Sequence, residues 1–155
     1  MITIRKAQPE DIAFIIDSQI KMARETEGME LDPSTVAKGV AAVFGDSVMG
    51  DYYIASEMQG AAETEKSVAC LLTLMEWSDW RNGNVIWIHS VYVLPEYRGQ
   101  GVFPKMYEYL KNSVQASVHL RGLRLYVDKT NLHAQKVYQK LGMSNDHYEL
   151  YEWMK

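Results

Sequence analysis

Between Val91 and Val102 the chain reads Val-Tyr-Val-Leu-Pro-Glu-Tyr-Arg-Gly-Gln-Gly-Val, an arrangement suited to holding a phosphate. A β-branched stretch runs into Pro95, turns through Gly99 and Gly101, and enters an amphipathic segment. That order sets the N-terminus of a helix beside the end of a strand, with little side chain in the way. First-turn N–H groups have no partner inside the helix, and the dipole adds about half a positive charge. Such a corner binds phosphate. Two other phosphate motifs do not fit. A dinucleotide fingerprint needs a third glycine where Pro104 stands, and a P-loop needs Gly-Lys-Ser/Thr after its first glycine, which is missing. His89, His119, His133 and His147 show no metal-ligand spacing, so no metal is expected. The single Cys70 excludes an intrachain disulfide and lies in the apolar run Val68-Ala69-Cys70-Leu71-Leu72, where it reads as a buried strand residue.

The elements that must hold this corner follow from periodicity. Ile2 to Lys6 alternates as a short strand. Pro9, with Glu10 and Asp11 behind it, starts a helix that Ile12, Ile15, Ile16 and Ile20 continue. Asp32-Pro33 repeats the start signal, and Val36, Val40, Val43 and Phe44 form a second apolar stripe that stops at Gly45. Three strands are predicted next, Tyr52 to Glu57, Ser67 to Trp77 and Val85 to Val93, with turns around Gly60 to Lys66 and Ser78 to Asn84. This succession suggests an antiparallel meander. Residues 100–118 read as a helix with Val102, Met106, Tyr109, Leu110 and Val114 on its inner side. Leu123, Leu125 and Val127 then alternate as a strand, so the pair 85–93 and 123–127 is expected to be parallel across a helical crossover. Asn131 caps a further helix with Ala134, Val137, Tyr138 and Leu141 inward, and Gly142 ends it. A last strand is expected over Tyr148 to Met154. The class is α+β with a mixed sheet, read as one domain over 1–155.

Composition narrows the partners. A chain of 155 residues is large enough to bury a core without staples. A net charge of −4 with no Lys/Arg run argues against nucleic acid or an anionic membrane as main partner. The N-terminal Met1-Ile2-Thr3-Ile4-Arg5-Lys6 lacks the apolar core of a signal peptide, and no stretch approaches membrane-spanning length. A cytoplasmic location is expected, as monomer or homodimer.

Two segments together resemble a known family. Arg98-Gly99-Gln100-Gly101 follows the strand as in R/Q-x-x-G-x-G/A, the acyl-CoA-binding motif of the GNAT N-acetyltransferases. Downstream, Asn131-x-x-Ala134-x-x-x-Tyr138-x-x-x-Gly142 resembles that family's second signature, and the element order matches over essentially the whole chain. Glu76-Trp77-Ser78-Asp79-Trp80-Arg81-Asn82-Gly83 is similar to a stretch in bacterial members whose acceptors are undefined. One departure stands out: the sixth motif position is Phe103 where the family has Gly or Ala, and Pro104 offers no N–H. The diphosphate is then expected nearer Arg98, Gly99, Gln100 and Gly101, or the helix starts slightly differently.

The resemblance implies a mixed, mostly antiparallel twisted sheet of about six to seven strands flanked by about four helices, with a parallel splayed pair. It implies acetyl-CoA as cosubstrate, held by Val91, Tyr92, Val93, Arg98, Gly99, Gln100, Gly101, Val102, Phe103, Asn131 and Tyr138. The expected activity is acetyl transfer to a primary amine of a small molecule or peptide by direct attack; the alternative is a non-catalytic acyl-CoA-binding sensor or interaction module. Backbone near Val91 or Val93 would polarise the thioester carbonyl. Tyr138 would be the general acid, since a phenol can protonate a leaving thiolate. A base is needed because freeing an amine of pKa near 10.4 at pH 7 costs roughly 4–5 kcal/mol. Some members place a glutamate where Trp87 stands; here His89 or Glu76 is the candidate, or water. Glu25 and Glu27, with Glu30 and Asp32, hint at a cationic acceptor, and Trp77, Trp80 and Trp87 at an apolar pocket wall.

Overall fold

The computed structural model describes residues 1–59 and 64–155. They form two compact units, Met1–Arg124 and Leu125–Lys155.

The first unit is built on a sheet of order β1-β2-β3-β4-β5. Its strands are β1 (Ile2–Lys6), β2 (Asp51–Gln59), β3 (Thr64–Ser78), β4 (Gly83–Val93) and β5 (Leu120–Leu125), the last ending one residue into the second unit. The first three pairings are antiparallel. β4 and β5 are the parallel pair, connected through α3 (Val102–Ala116) as a strand–helix–strand crossover requires. They meet at the end where the Asn84 N–H donates to the His119 carbonyl at 2.9 Å. Two helices, α1 (Ile12–Glu27) and α2 (Pro33–Gly45), fill the chain between β1 and β2.

Helix ends sit where the local chemistry puts them. Pro9 opens a short 3-10 turn over Pro9–Asp11 that leads into α1, and Gly28 ends α1 in the left-handed region at φ 62°. Asp32 caps α2 by accepting from the Thr35 N–H at 2.7 Å.

The sheet buries both faces. Register puts Tyr52, Ile54, Cys70 and Tyr92 on one face, where they pack with Ile15 of α1 and Val40 of α2. Ile12, Ile16, Val36, Val43 and Phe44 close that side, as their helical spacing predicts. Each large apolar chain removed fully from water here stabilises the fold by about 2 kcal/mol. Tyr53 points to the opposite face by alternation, and its ring meets Tyr109 of α3 at 5.8 Å, so α3 covers that side. The buried stripe of α3 is Val102, Met106, Tyr107 and Leu110; Tyr109 is 39% exposed, although it was expected inward. A ring can lie along a sheet margin and touch it without being enclosed.

Three expectations are corrected. β5 runs over Leu120–Leu125 rather than 123–127, because the ladder with β4 rather than the alternation of Leu123, Leu125 and Val127 sets its ends. The first unit's sheet has five strands, fewer than six to seven. Residues 148–154 form no strand, and Tyr148, Leu150, Tyr151, Trp153 and Met154 are exposed. Alternation names a face, but a strand exists only with a ladder partner. Of the turn expected around Gly60 to Lys66, residues 60–63 lie outside the described residues, and Thr64, Glu65 and Lys66 belong to β3.

In the second unit, α4 (Leu132–Lys140) begins at Asn131, whose side chain accepts from the Ala134 N–H at 3.1 Å. It ends as predicted at Gly142, at φ 85°, with the Met143 N–H returning to the Tyr138 carbonyl at 3.1 Å.

Candidate active site

β4 does not run regularly. Its register against β3 shifts between Cys70 and Leu72, so that Tyr92 faces Cys70 while His89 faces Leu72. Three residues advance on β4 for two on β3, which is a β-bulge, and Ser90 within it has φ 52°. The bulge restores Tyr92 to the face that carries Trp87 and His89. Beyond it, the Leu94 N–H donates to the Val68 carbonyl at 2.9 Å, towards β3. Strand alternation therefore aims the main-chain groups of Val91 and Val93 at the other edge, the side on which β5 lies.

The chain then makes a 3-10 turn over Pro95–Tyr97 and passes through Gly99 (φ 73°) and Gly101 (φ 74°). Side chains other than glycine rarely adopt such angles, and no atom lies within 4 Å of where a Cβ would stand on either residue. Gly101 is the N-cap of α3, so the helix starts at Val102 and Pro104 takes its third position. The N–H that Pro104 lacks is one a helix leaves unused anyway; the first turn still has those of Val102 and Phe103. Phe103 is half-buried, its ring 6.5 Å from Tyr107.

Arg98 is turned back onto its own strand. Its Nε donates to the Val93 carbonyl at 2.9 Å, its guanidinium lies 5.3 Å from the Tyr92 ring centre, and Nη2 reaches Glu25 at 2.6 Å. Gln100 braces the turn by donating to the Glu96 carbonyl at 2.7 Å. Alongside, a cavity of about 680 Å³ opens between α1 and the ends of β3 and β4, lined by the apolar Phe14, Tyr92 and Leu94 and by the charged Lys21, Glu25 and Lys66.

Earlier on β4, the same sheet face carries Glu76, Trp87 and His89. The Trp87 and His89 rings are 6.0 Å apart. The Glu76 carboxylate accepts from the Trp87 indole N–H and from Arg124, at 3.0 and 2.9 Å. The indole bond, and after it the Arg124 guanidinium, outweigh desolvation and hold the Glu76 carboxyl below its ordinary value. His89 shifts in the same direction for a different reason: burial disfavours the imidazolium and lowers its pKa from 6.5, so the neutral ring predominates at pH 7.

The remaining sequence candidates are scattered. Trp77 pairs with Asn84 on the face opposite Trp87 and is 61% exposed; Trp80 is 87% exposed, so the three tryptophans share no wall. Glu25 is tied to Arg98 and Tyr92, Glu30 to Arg24 at 2.7 Å, Asp32 caps α2, and Glu27 is exposed. The four acids do not form one anionic patch. Tyr138 is half-buried on α4 in the second unit, where burial raises its phenol above the ordinary value. Sequence reasoning missed Arg124, the bulge at Ser90 and the Glu25–Arg98 tie. Among the described residues no group of His, Cys, Asp and Glu side chains could hold a metal ion.

Residues 35–143 match the family described as Acetyltransferase (GNAT) family. The chain belongs to the GNAT acetyltransferase family. A crystal structure of a possible acetyltransferase from Clostridium difficile 630 is similar over 100% of this chain and 98% of its own, with 39% identity and a TM-score of 0.88. A GNAT-like fold is also seen at 20% identity in a predicted acetyltransferase with acetyl-CoA from Clostridium acetobutylicum, with a TM-score of 0.70 over 98% of this chain and 96% of that one. A putative acetyltransferase from Agrobacterium tumefaciens str. C58 is 16% identical, with a TM-score of 0.76 over 98% and 99%. No curated protein matches the chain. Within the GNAT family, acetyl transfer is the general activity. No helix among the described residues is long and apolar enough to cross a membrane.

Proposed function

We propose that this GNAT protein is an N-acetyltransferase that moves the acetyl group of acetyl-CoA to a primary amine of a small molecule or peptide. The observation that carries the reading is the bulged end of β4, which aims Val91 and Val93 main chain at one edge and continues into an unobstructed glycine turn capping α3. An extended amide-bearing arm suits the first part, and a diphosphate suits the second. The residues fit the cosubstrate, since Gly99 and Gly101 leave room for an anion against the backbone.

Acetyl-CoA supplies a thioester that a neutral amine attacks directly. The chain's own residues do the rest. Val91, Tyr92 and Val93 bind the arm, and the main chain of Arg98, Gly99, Gln100, Gly101, Val102 and Phe103 holds the diphosphate. His89 accepts the proton of the amine, a role its neutral ring suits; Glu76, already bonded to Trp87 and Arg124, is the weaker base. Tyr138, assigned by the family signature, gives a proton to the departing sulfur, and burial keeps its phenol protonated at neutral pH. Asn131 caps α4 and contributes to cosubstrate binding.

The test is thiol release from acetyl-CoA across a panel of primary amines and peptides, with cosubstrate binding followed by calorimetry. Turnover with an amine is expected, and Tyr138→Phe is expected to lower kcat about 100-fold while changing CoA affinity less than about two-fold. Normal CoA binding without turnover above background would favour a sensor module; no binding at all would remove the reading.

A further inference from the structure

Glu25 stands in the last turn of α1, far in sequence from the glycine turn, yet it is bonded to the residues that support it. One carboxylate oxygen accepts from the Tyr92 hydroxyl at 2.9 Å and the other from Arg98 at 2.6 Å. Arg98 is also fixed by the Val93 carbonyl and by stacking on Tyr92. The turn needs such support. Gly99 and Gly101 occupy positive φ with only the Gln100 bond to the Glu96 carbonyl bracing the turn from within, and glycine loses the most freedom when it is ordered. Arg98, directly before Gly99, anchors the entry to the turn, and α1 supplies the anion that fixes Arg98. With its charge matched by Glu25, Arg98 holds shape while main-chain N–H groups meet the anion.

We propose that Glu25 is a positioning residue for the cosubstrate site, acting through Arg98 to hold the Gly99–Gly101 turn in its phosphate-binding shape. This rests on the acetyl-CoA reading of that turn. A rigid turn has less order to gain on binding, so loosening it weakens binding without altering chemistry once the site is full.

Calorimetry with CoA and steady-state kinetics test it together. Glu25→Ala is expected to raise the Kd for CoA about ten-fold and the KM for acetyl-CoA similarly, with kcat at saturation within about two-fold of wild type. Glu25→Gln, which keeps an acceptor oxygen, should recover part of the loss. Arg98→Ala should match Glu25→Ala, and the double variant should bind no more weakly than Arg98→Ala alone. Equal or tighter CoA binding by Glu25→Ala would overturn the proposal, because an unmatched Arg98 would then be serving the anion directly. Additive losses in the double variant, or a raised KM for the amine with unchanged CoA affinity, would overturn it too. Wild-type protein that binds no CoA would instead defeat the underlying reading. Tyr92→Phe guards against a folding artefact: it removes one hydroxyl and keeps the buried ring, and a Kd raised about two- to three-fold is expected, with an unchanged Kd counting against the proposal.

Discussion

Glu76 and His89 occupy the same sheet face, and both have the chemistry to accept a proton near neutral pH. Their surroundings separate them. The Glu76 carboxylate has an indole N–H and a guanidinium already in place, so it stays ionised and its basicity is low. His89 is neutral because burial opposes its charge, and a neutral imidazole can receive a proton. Its base form predominates at pH 7 and is lost as the pH falls through a value below 6.5. The kcat/KM profile of wild type is therefore expected to rise with a midpoint below 6.5, and His89→Ala to lose that rise with a rate about 100-fold lower. An unchanged profile in the variant would eliminate His89. This contrast was half legible in the sequence. Period-two spacing placed Trp87 and His89 together, but the partner that removes Glu76 from contention, Arg124, is 48 residues away from it in the chain. Nothing local signals such a meeting.

At the scale of elements, boundaries marked by proline, glycine or a capping acid were legible: Asp32-Pro33 opens α2, and Asn131 and Gly142 bracket α4. The β4 bulge was not. Ser90 lies in a run of strand-forming residues, and its positive φ follows from pairing with β3 rather than from its own preference. Residues 148–154 show the converse error, a strand pattern without a strand. Gly50 provides a test of how closely β2 and β3 meet. It stands at φ 115°, and a Cβ there would lie 2.3 Å from the Thr73 carbonyl oxygen and 2.8 Å from the Leu74 side chain. Gly50→Ala is expected to cost about 2–4 kcal/mol, read as a lower urea midpoint with an unchanged slope. A loss under about 1 kcal/mol would mean the strand start shifts freely.

For the whole molecule, the N-terminal corner contributes a buried carboxylate to the response to acid. Asp11 is 6% exposed and receives two bonds from Arg5, at 2.6 and 2.9 Å, and one from the Gln8 N–H at 2.8 Å. Desolvation pushes its carboxyl up, but these donors together win and hold it below its ordinary value. Its stabilisation is therefore full above about pH 4 and fades as the pH drops through the lowered folded value. Asp11→Asn is expected to lose about 1–3 kcal/mol at pH 7 and to converge on wild type near pH 2, measured by urea unfolding at both. A constant gap across that range would refute the assignment. The lone cysteine belongs to this scale as well. Cys70 is fully enclosed, and burial raises its thiol to about 12. A chromogenic disulfide reagent added to folded enzyme should thus colour only with coenzyme set free by turnover. Each denatured chain would add one equivalent of colour, so a single dye can count both catalysis and damage in the same cuvette.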